Sequence, residues 1–306
     1  MWHEEYENLM FRSGNKCEAL SQAVNIKHEH MPDLLYKYRS VSDNSLSALQ
    51  DDVLYSSPPH LFNDPFEGNI EISIPATIQN YYQQVYEQLR KNYSFLPLRT
   101  VHSSEEYFLS IAAGFGKTAE EITSQIPLHS IMNHLGSLSN NKLKHDLNVM
   151  QQQIRNAYNI CCLCKENNNL LMWSHYADQH KGFCIGYNIK ALNNDVTELT
   201  FPVLYRDTNY YEITDAADIN SSLAMYMLTL KSTKWSYEKE WRIFYEPKTI
   251  PHAEPLPTPC AIYLGAKMAC TDESKVYNIC CSKQIPIYKM NLCQRTQTLI
   301  PSPYYP

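Results

Sequence analysis

The run from Ile160 to Cys164 in NICCLC (159–164) is apolar at every position, the pattern of a strand covered on both faces at the centre of a sheet. Such a strand needs partners, and the chain offers them on both sides in sequence. LLYKYRS (34–40), VLYSS (53–57) and EISI (71–74) precede it, with a short helix through SLSALQDD. FCIGYNI (183–189) and FPVLYR (201–206) follow it. LLMWSHYADQH (170–180) reads as a helix ending at Gly182, a C′ glycine, and a further helix is expected near 217–232. AIYLGAKM, a helix near 272–282 and IPIYKMNL read as a β-α-β unit. Between about 76 and 157 the period changes. Tyr82, Val85, Tyr86 and Leu89, then Ile131, Leu135 and Leu138, recur at helical spacing, which predicts a helical insertion. Residues 1–30 read as an N-terminal helical extension with few strong core anchors, and 31–306 as one interrupted domain. The fold class is α+β.

Composition narrows the chemistry. The chain has 306 residues, 44% hydrophobic and 19% charged, as a globular protein should. A net charge of -6 lacks the basic footprint of nucleic-acid binders, so nucleic acid is not an expected partner. Only 8 glycines are present, too few for clustered phosphate-cradling loops. AGFGKT (113–118) resembles the end of a P-loop, but Ile111 stands where the motif needs glycine. Ten cysteines behind an acidic start, MWHEEYENLM, read as reduced thiols in a cytoplasmic protein without a Sec signal. Cys161 and Cys164 lack a second pair at zinc spacing, since the adjacent Cys280 and Cys281 are unsuited to it. His175 and His180 fall on different helical faces, so no metal is expected. No run of about 18 apolar residues predicts a membrane span.

WSYEKEWRIF (235–244) places Glu238 and Glu240 two residues apart. Read as a strand, Glu238, Glu240, Arg242 and Phe244 share one face, and Tyr237, Lys239, Trp241 and Ile243 the other. Spacing alone leaves two readings: a solvated face with cross-strand charge pairs, or a paired-carboxylate site. Three other segments stand beside it: LYKYRS (35–40), LFNDPFEG (61–68) and LLMWSHYADQHKGFCIGY (170–187). Together, in this order, the four resemble a widespread bacterial DUF2971-like family, with AIYLGAK also fitting. That family in turn looks like a divergent branch of the ADP-ribosyltransferases, which carry an Arg or His on the first core strand, a Ser or aromatic element on a middle strand, and a late catalytic Glu.

The resemblance implies an ADP-ribosyltransferase-like split β-sandwich core with a helical insertion. It implies an NAD-dependent mono-ADP-ribosyltransferase, a glycosyltransferase that moves ADP-ribose to a protein side chain, with arginine favoured by E-x-E. NAD would be the co-substrate, and a bacterial toxin or effector acting on a host protein, delivered without a Sec signal, would fit. Its rival is a non-catalytic or NAD-hydrolysing defence module of the same fold. Breaking the nicotinamide–ribose bond develops positive charge on the sugar, which a fixed carboxylate stabilises. The resemblance gives that role to Glu240, and gives Glu238 the acceptor. Arg39, beside Tyr38, would grip pyrophosphate or ribose. Trp173 or Tyr176 would stack on a base, and Asn63 and Glu67 would reach the ligand. Cys164 stands where arginine-modifying relatives carry a serine, a departure that bears on how NAD is held.

Overall fold

The computed structural model describes residues 2–12, 16–72, 82–83, 86–87, 89–114, 116, 141, 144–145, 147–191, 194–208, 210–211, 221–245, 252–255 and 258–305. In chain order its elements begin with α1 (Trp2–Glu7), a π-helical turn (Asn8–Arg12), α2 (Lys16–His30), β1 (Leu34–Arg39), α3 (Asp43–Gln50) and β2 (Val53–Ser56). Then come β3 (Glu71–Ile72), α4 (Ser104–Gly114), β4 (Asn159–Cys164), α5 (Leu170–Tyr176), β5 (Phe183–Asn188) and α6 (Asn194–Glu198). β6 (Thr200–Pro202), β7 (Leu204–Arg206), β8 (Tyr210–Tyr211), α7 (Ser221–Thr229), β9 (Leu230–Ser232), β10 (Glu240–Tyr245) and β11 (His252–Pro255) follow. β12 (Ala261–Leu264), α8 (Cys270–Lys283), β13 (Ile287–Cys293) and β14 (Thr298–Pro303) complete an α+β protein. No described helix is long and apolar enough to cross a membrane.

The chain divides into two units, Met1–Gly68 with Arg155–Asp207 and Leu228–Pro306, and Asn69–Ile154 with Thr208–Met227. The first holds an eight-stranded mixed sheet ordered β14-β13-β12-β5-β1-β4-β10-β6. All its pairs are antiparallel except β12 with β13, which α8 connects, as the expected β-α-β unit requires. Alternation sorts the side chains. Leu35, Cys161, Leu163, Ile185, Trp241, Ile243 and Ile262 meet Leu49 and Leu54 on one face, with Val276 and Cys280 from α8. Each fully buried aliphatic side chain contributes about 1.5–3 kcal/mol. Tyr38, Cys164, Cys184 and Tyr263 form the other face beneath Met172 and Trp173 of α5.

β1 and β4 barely touch. β1 pairs with β5 at six positions but with β4 only at Tyr36 and Cys164. Farther along the same edge, Ile160 exchanges two backbone hydrogen bonds with Ser57, at 2.8 and 3.1 Å. Between those two attachments the Cys162 carbonyl faces no strand and instead accepts from Lys37 Nζ at 2.7 Å. The sheet is therefore split between β1 and β4, pinned at each end of the gap.

Several elements differ from expectation. The helix at 170–180 stops at Tyr176, because Asp178, Gln179 and His180 take left-handed backbone. Gly182 is not a positive-φ cap. A Cβ there would lie 2.1 Å from the Arg39 carbonyl oxygen, so close backbone approach requires the glycine. FPVLYR breaks into β6 and β7, and β14 is an unexpected edge strand that tolerates Pro301 and Pro303. The N-terminal helices have more anchors than their sequence suggests. Tyr6 and Ala23 are buried, Glu7 pairs with Arg206, and the buried Lys27 donates to the Thr197 and Glu198 carbonyls at the end of α6.

In the second unit Tyr86, Leu96 and Val101 cluster with Tyr82, Leu89 and Tyr107, and β3 pairs in parallel with β8. Val85, Ile131, Leu135, Leu138 and the end of EISI lie outside the described residues.

Candidate active site

WSYEKEWRIF is not one strand. Thr233–Glu238 coils as a 3₁₀ helix, Lys239 takes a left-handed conformation (φ 43°), and only then does β10 begin at Glu240. The two carboxylates therefore meet by a turn rather than by alternation. What brings them together is Lys231 on β9, whose buried Nζ lies 2.5 Å from Glu238 and 3.2 Å from Glu240. The same ammonium sits 4.9 Å from the Trp235 ring centroid. Alternation does hold from Glu240 onward. Arg242, fully buried, donates from Nε to Glu240 at 2.9 Å and pairs bidentately with Glu67 from the other side.

The FNDPFE loop is shaped for that contact. Asp64 accepts from the Phe66 amide in a local turn, and the Phe62 ring lies 5.8 Å from the Arg242 guanidinium carbon. Asn63 turns the other way and donates to the Tyr176 hydroxyl at 3.0 Å, which in turn donates to Glu238 at 2.5 Å. Asn169 caps α5 and also donates to the Tyr237 carbonyl at 2.7 Å, tying the helix to the glutamate turn.

These groups border one hollow of about 510 Å³ at the split in the sheet. Tyr38, Arg39, Asn63, Cys164, Tyr176, Glu238 and Glu240 all line it, with Lys37 and Lys231. Two expected ligand residues do not. Glu67 is 1% exposed and committed to Arg242. Trp173 is fully buried, donates its indole N–H to the Asn167 carbonyl and packs edge-on against Tyr38, so it is core and not a stacking platform. Tyr38 lines the hollow but spends its hydroxyl on the Glu166 carbonyl. Alternation gives Arg39 the face of Leu35 and Lys37, opposite that of Tyr36, Cys164 and Glu240. Arg39 and Glu240 border one space only because the sheet opens there.

The electrostatics separate the two glutamates. Burial would raise the Glu240 carboxyl, but Arg242 and Lys231 outweigh it and hold the group well below the usual carboxylate range. Glu238 moves the other way, pushed up by burial and by the neighbouring Glu240. Lys231 is raised because the two carboxylates outweigh its burial. The Cys164 thiol, pushed to about 12 chiefly by burial, stays protonated. The Cys162 thiol is raised well above its ordinary value by burial and by the neighbouring Glu240 charge. Sequence reasoning set Arg242 on the face of the glutamates but missed Lys231, Lys37 and Cys162, since only the fold brings β9, β1 and β4 to the doublet. Among the described residues no cluster of three His, Cys, Asp or Glu is arranged to hold a metal.

Fold and site thus define an α+β protein with a buried charge cluster at a broken sheet ladder. Residues 172–243 match the model of a family described as a protein of unknown function, DUF2971. The match supports the family resemblance and covers the helix and E-x-E motifs, while LYKYR and FNDPFE lie outside it. No curated protein and no solved structure matches the chain.

Proposed function

We propose that the protein is an NAD-dependent mono-ADP-ribosyltransferase built on the split β-sandwich core of that superfamily. The observation that carries this reading is the glutamate doublet at one hollow, with its two carboxyls pushed in opposite directions. Environments that drive neighbouring titratable groups apart assign them different tasks in catalysis. In support, β1, β4 and β10 are consecutive neighbours in the sheet, and they carry Arg39, Cys164 and Glu240.

The residues suit the substrate. The hollow falls within the 300–1,000 Å³ typical of ligand sites, and Lys37 and Arg39 offer cations to a pyrophosphate. Glu240, kept ionised by Arg242 and Lys231, supplies fixed negative charge where the sugar becomes cationic. As the C1′–N bond breaks, nicotinamide leaves with the bonding pair. Glu238 takes the proton that the acceptor gives up on bonding to C1′. Spacing alone favours a protein arginine as the acceptor, and toxin or effector action would follow from such chemistry.

Nicotinamide release from labelled NAD, with a cell lysate as acceptor source, tests the reading. Glu238→Gln, a near-isosteric change, is expected to lower release by roughly 10²–10⁴ while leaving the circular dichroism spectrum unchanged. A folded Glu238→Gln protein as active as the parent would refute it.

A further inference from the structure

Spacing favours a guanidinium acceptor, but the doublet already holds a cation of its own. Resting on the proposed transfer from NAD, we infer that Lys231 fills the cation's place between Glu238 and Glu240, so that the acceptor is a neutral O–H or N–H nucleophile rather than an arginine side chain.

Every carboxylate oxygen of the doublet is engaged from within. Glu240 Oε1 accepts from Arg242 Nε, and its Oε2 accepts from Lys231 at 3.2 Å and Arg242 Nη2 at 3.1 Å. Glu238 Oε1 accepts from Tyr176 and its Oε2 from Lys231, both at 2.5 Å. A guanidinium fork needs two adjacent, outward-facing acceptors; with Glu238 3% and Glu240 5% exposed and a donor already on every oxygen, the doublet has room for one more hydrogen bond but not for a bidentate pair. Lys231 is also fixed: it is 5% exposed and backed by Trp235. The charge of the lining agrees. Lys37, Arg39 and Lys231 outnumber Glu238 and Glu240, an arrangement that draws in an anionic dinucleotide and repels a second cation.

A neutral nucleophile meets no such conflict. It forms its bond to C1′ as the bond to nicotinamide breaks, and its proton passes to Glu238 and on to solvent. Nothing else is consumed, and water satisfies the requirement as an alcohol does. Lys231 is then a specificity-determining residue.

The experiment uses the full chain, NAD and three acceptor conditions: water alone, methanol, and agmatine as a small guanidinium. The parent is expected to yield ADP-ribose and methyl ADP-ribose, with ADP-ribosyl-agmatine below about a tenth of the nicotinamide released, the ratio one charge-assisted hydrogen bond carries. Lys231→Met vacates the cation's place and should raise the agmatine share about tenfold or more. Most of the parent's ADP-ribose appearing on agmatine would overturn the inference alone, as would an unchanged share in a folded Lys231→Met protein. If that variant does not fold, the parent's product distribution decides by itself. No nicotinamide release under any condition would instead overturn the NAD reading, and the inference with it.

Discussion

At the scale of single residues, Glu238 and Glu240 look alike in sequence and are opposites in place. Glu240 is the counter-charge of two buried cations, so Glu240→Gln should cost about 3–5 kcal/mol, the penalty of unpairing a buried ion, read as a lower denaturation midpoint. Its folded pKa lies below the ordinary carboxyl value of 4.5, so its stabilisation is present above that pH and lost as pH falls through the folded value. Glu238 has the reverse sign. Its folded pKa is raised, so the stability it contributes is full below 4.5 and lost as pH rises through the folded value. Glu238→Gln should therefore be nearly neutral in stability at neutral pH, and a midpoint change comparable to that of Glu240→Gln would contradict this account. Sequence spacing picks out both residues but cannot rank them, because Lys231 and the turn that takes Glu238 off the strand of Glu240 and Arg242 come only with the folded chain. Glu67 and Trp173 show the converse. The family resemblance implies ligand contact for both, yet burial assigns one to Arg242 and the other to the core.

At the scale of elements, strands with strong apolar patterns were readable and the joints between them were not. ICCLC, LLYKYR and AIYL fall where periodicity puts them, since packing on both faces leaves those residues one environment. The doublet's turn was hidden because aromatic and β-favouring residues from Trp235 to Phe244 suit a strand, and the left-handed Lys239 carries no glycine or asparagine signal. Gly182, read from sequence as a C′ glycine, is required instead by close backbone approach. The distinction is testable. Gly182→Ala would press Cβ onto the Arg39 carbonyl and is expected to lose at least about 1–3 kcal/mol of stability in urea titration. Without that close approach, alanine at this position, whose φ is not positive, would instead stabilise the fold by about 0.4–1 kcal/mol.

At the scale of the whole molecule, the first thirty residues belong to the fabric of the sheet-bearing unit. Trp2 stacks 6.4 Å from Trp241, Glu7 meets Arg206, and Lys27 both caps α6 and lies 4.7 Å from the Phe201 ring. Removing residues 1–30 is expected to abolish the cooperative thermal transition rather than trim an appendage, and an unchanged transition midpoint in the truncated chain would disprove it. The sequence reading underestimated this segment because its anchors are scattered, with Tyr6, Phe11, Ala19 and Ala23 showing no strong helical stripe.

The broken ladder also works as a ruler. Four residue steps along β4 separate its attachments at Ile160 and Cys164, and at about 3.3 Å each they set a slot roughly 13 Å long. An outstretched dinucleotide exceeds that length, so a guest of this class must bend or leave its far base outside the protein. The segment from Ser40 to Ser57, which joins the two walls, carries α3, β2 and the core residues Leu49 and Leu54, so the length of the slot is set by the packed fold rather than by a free loop.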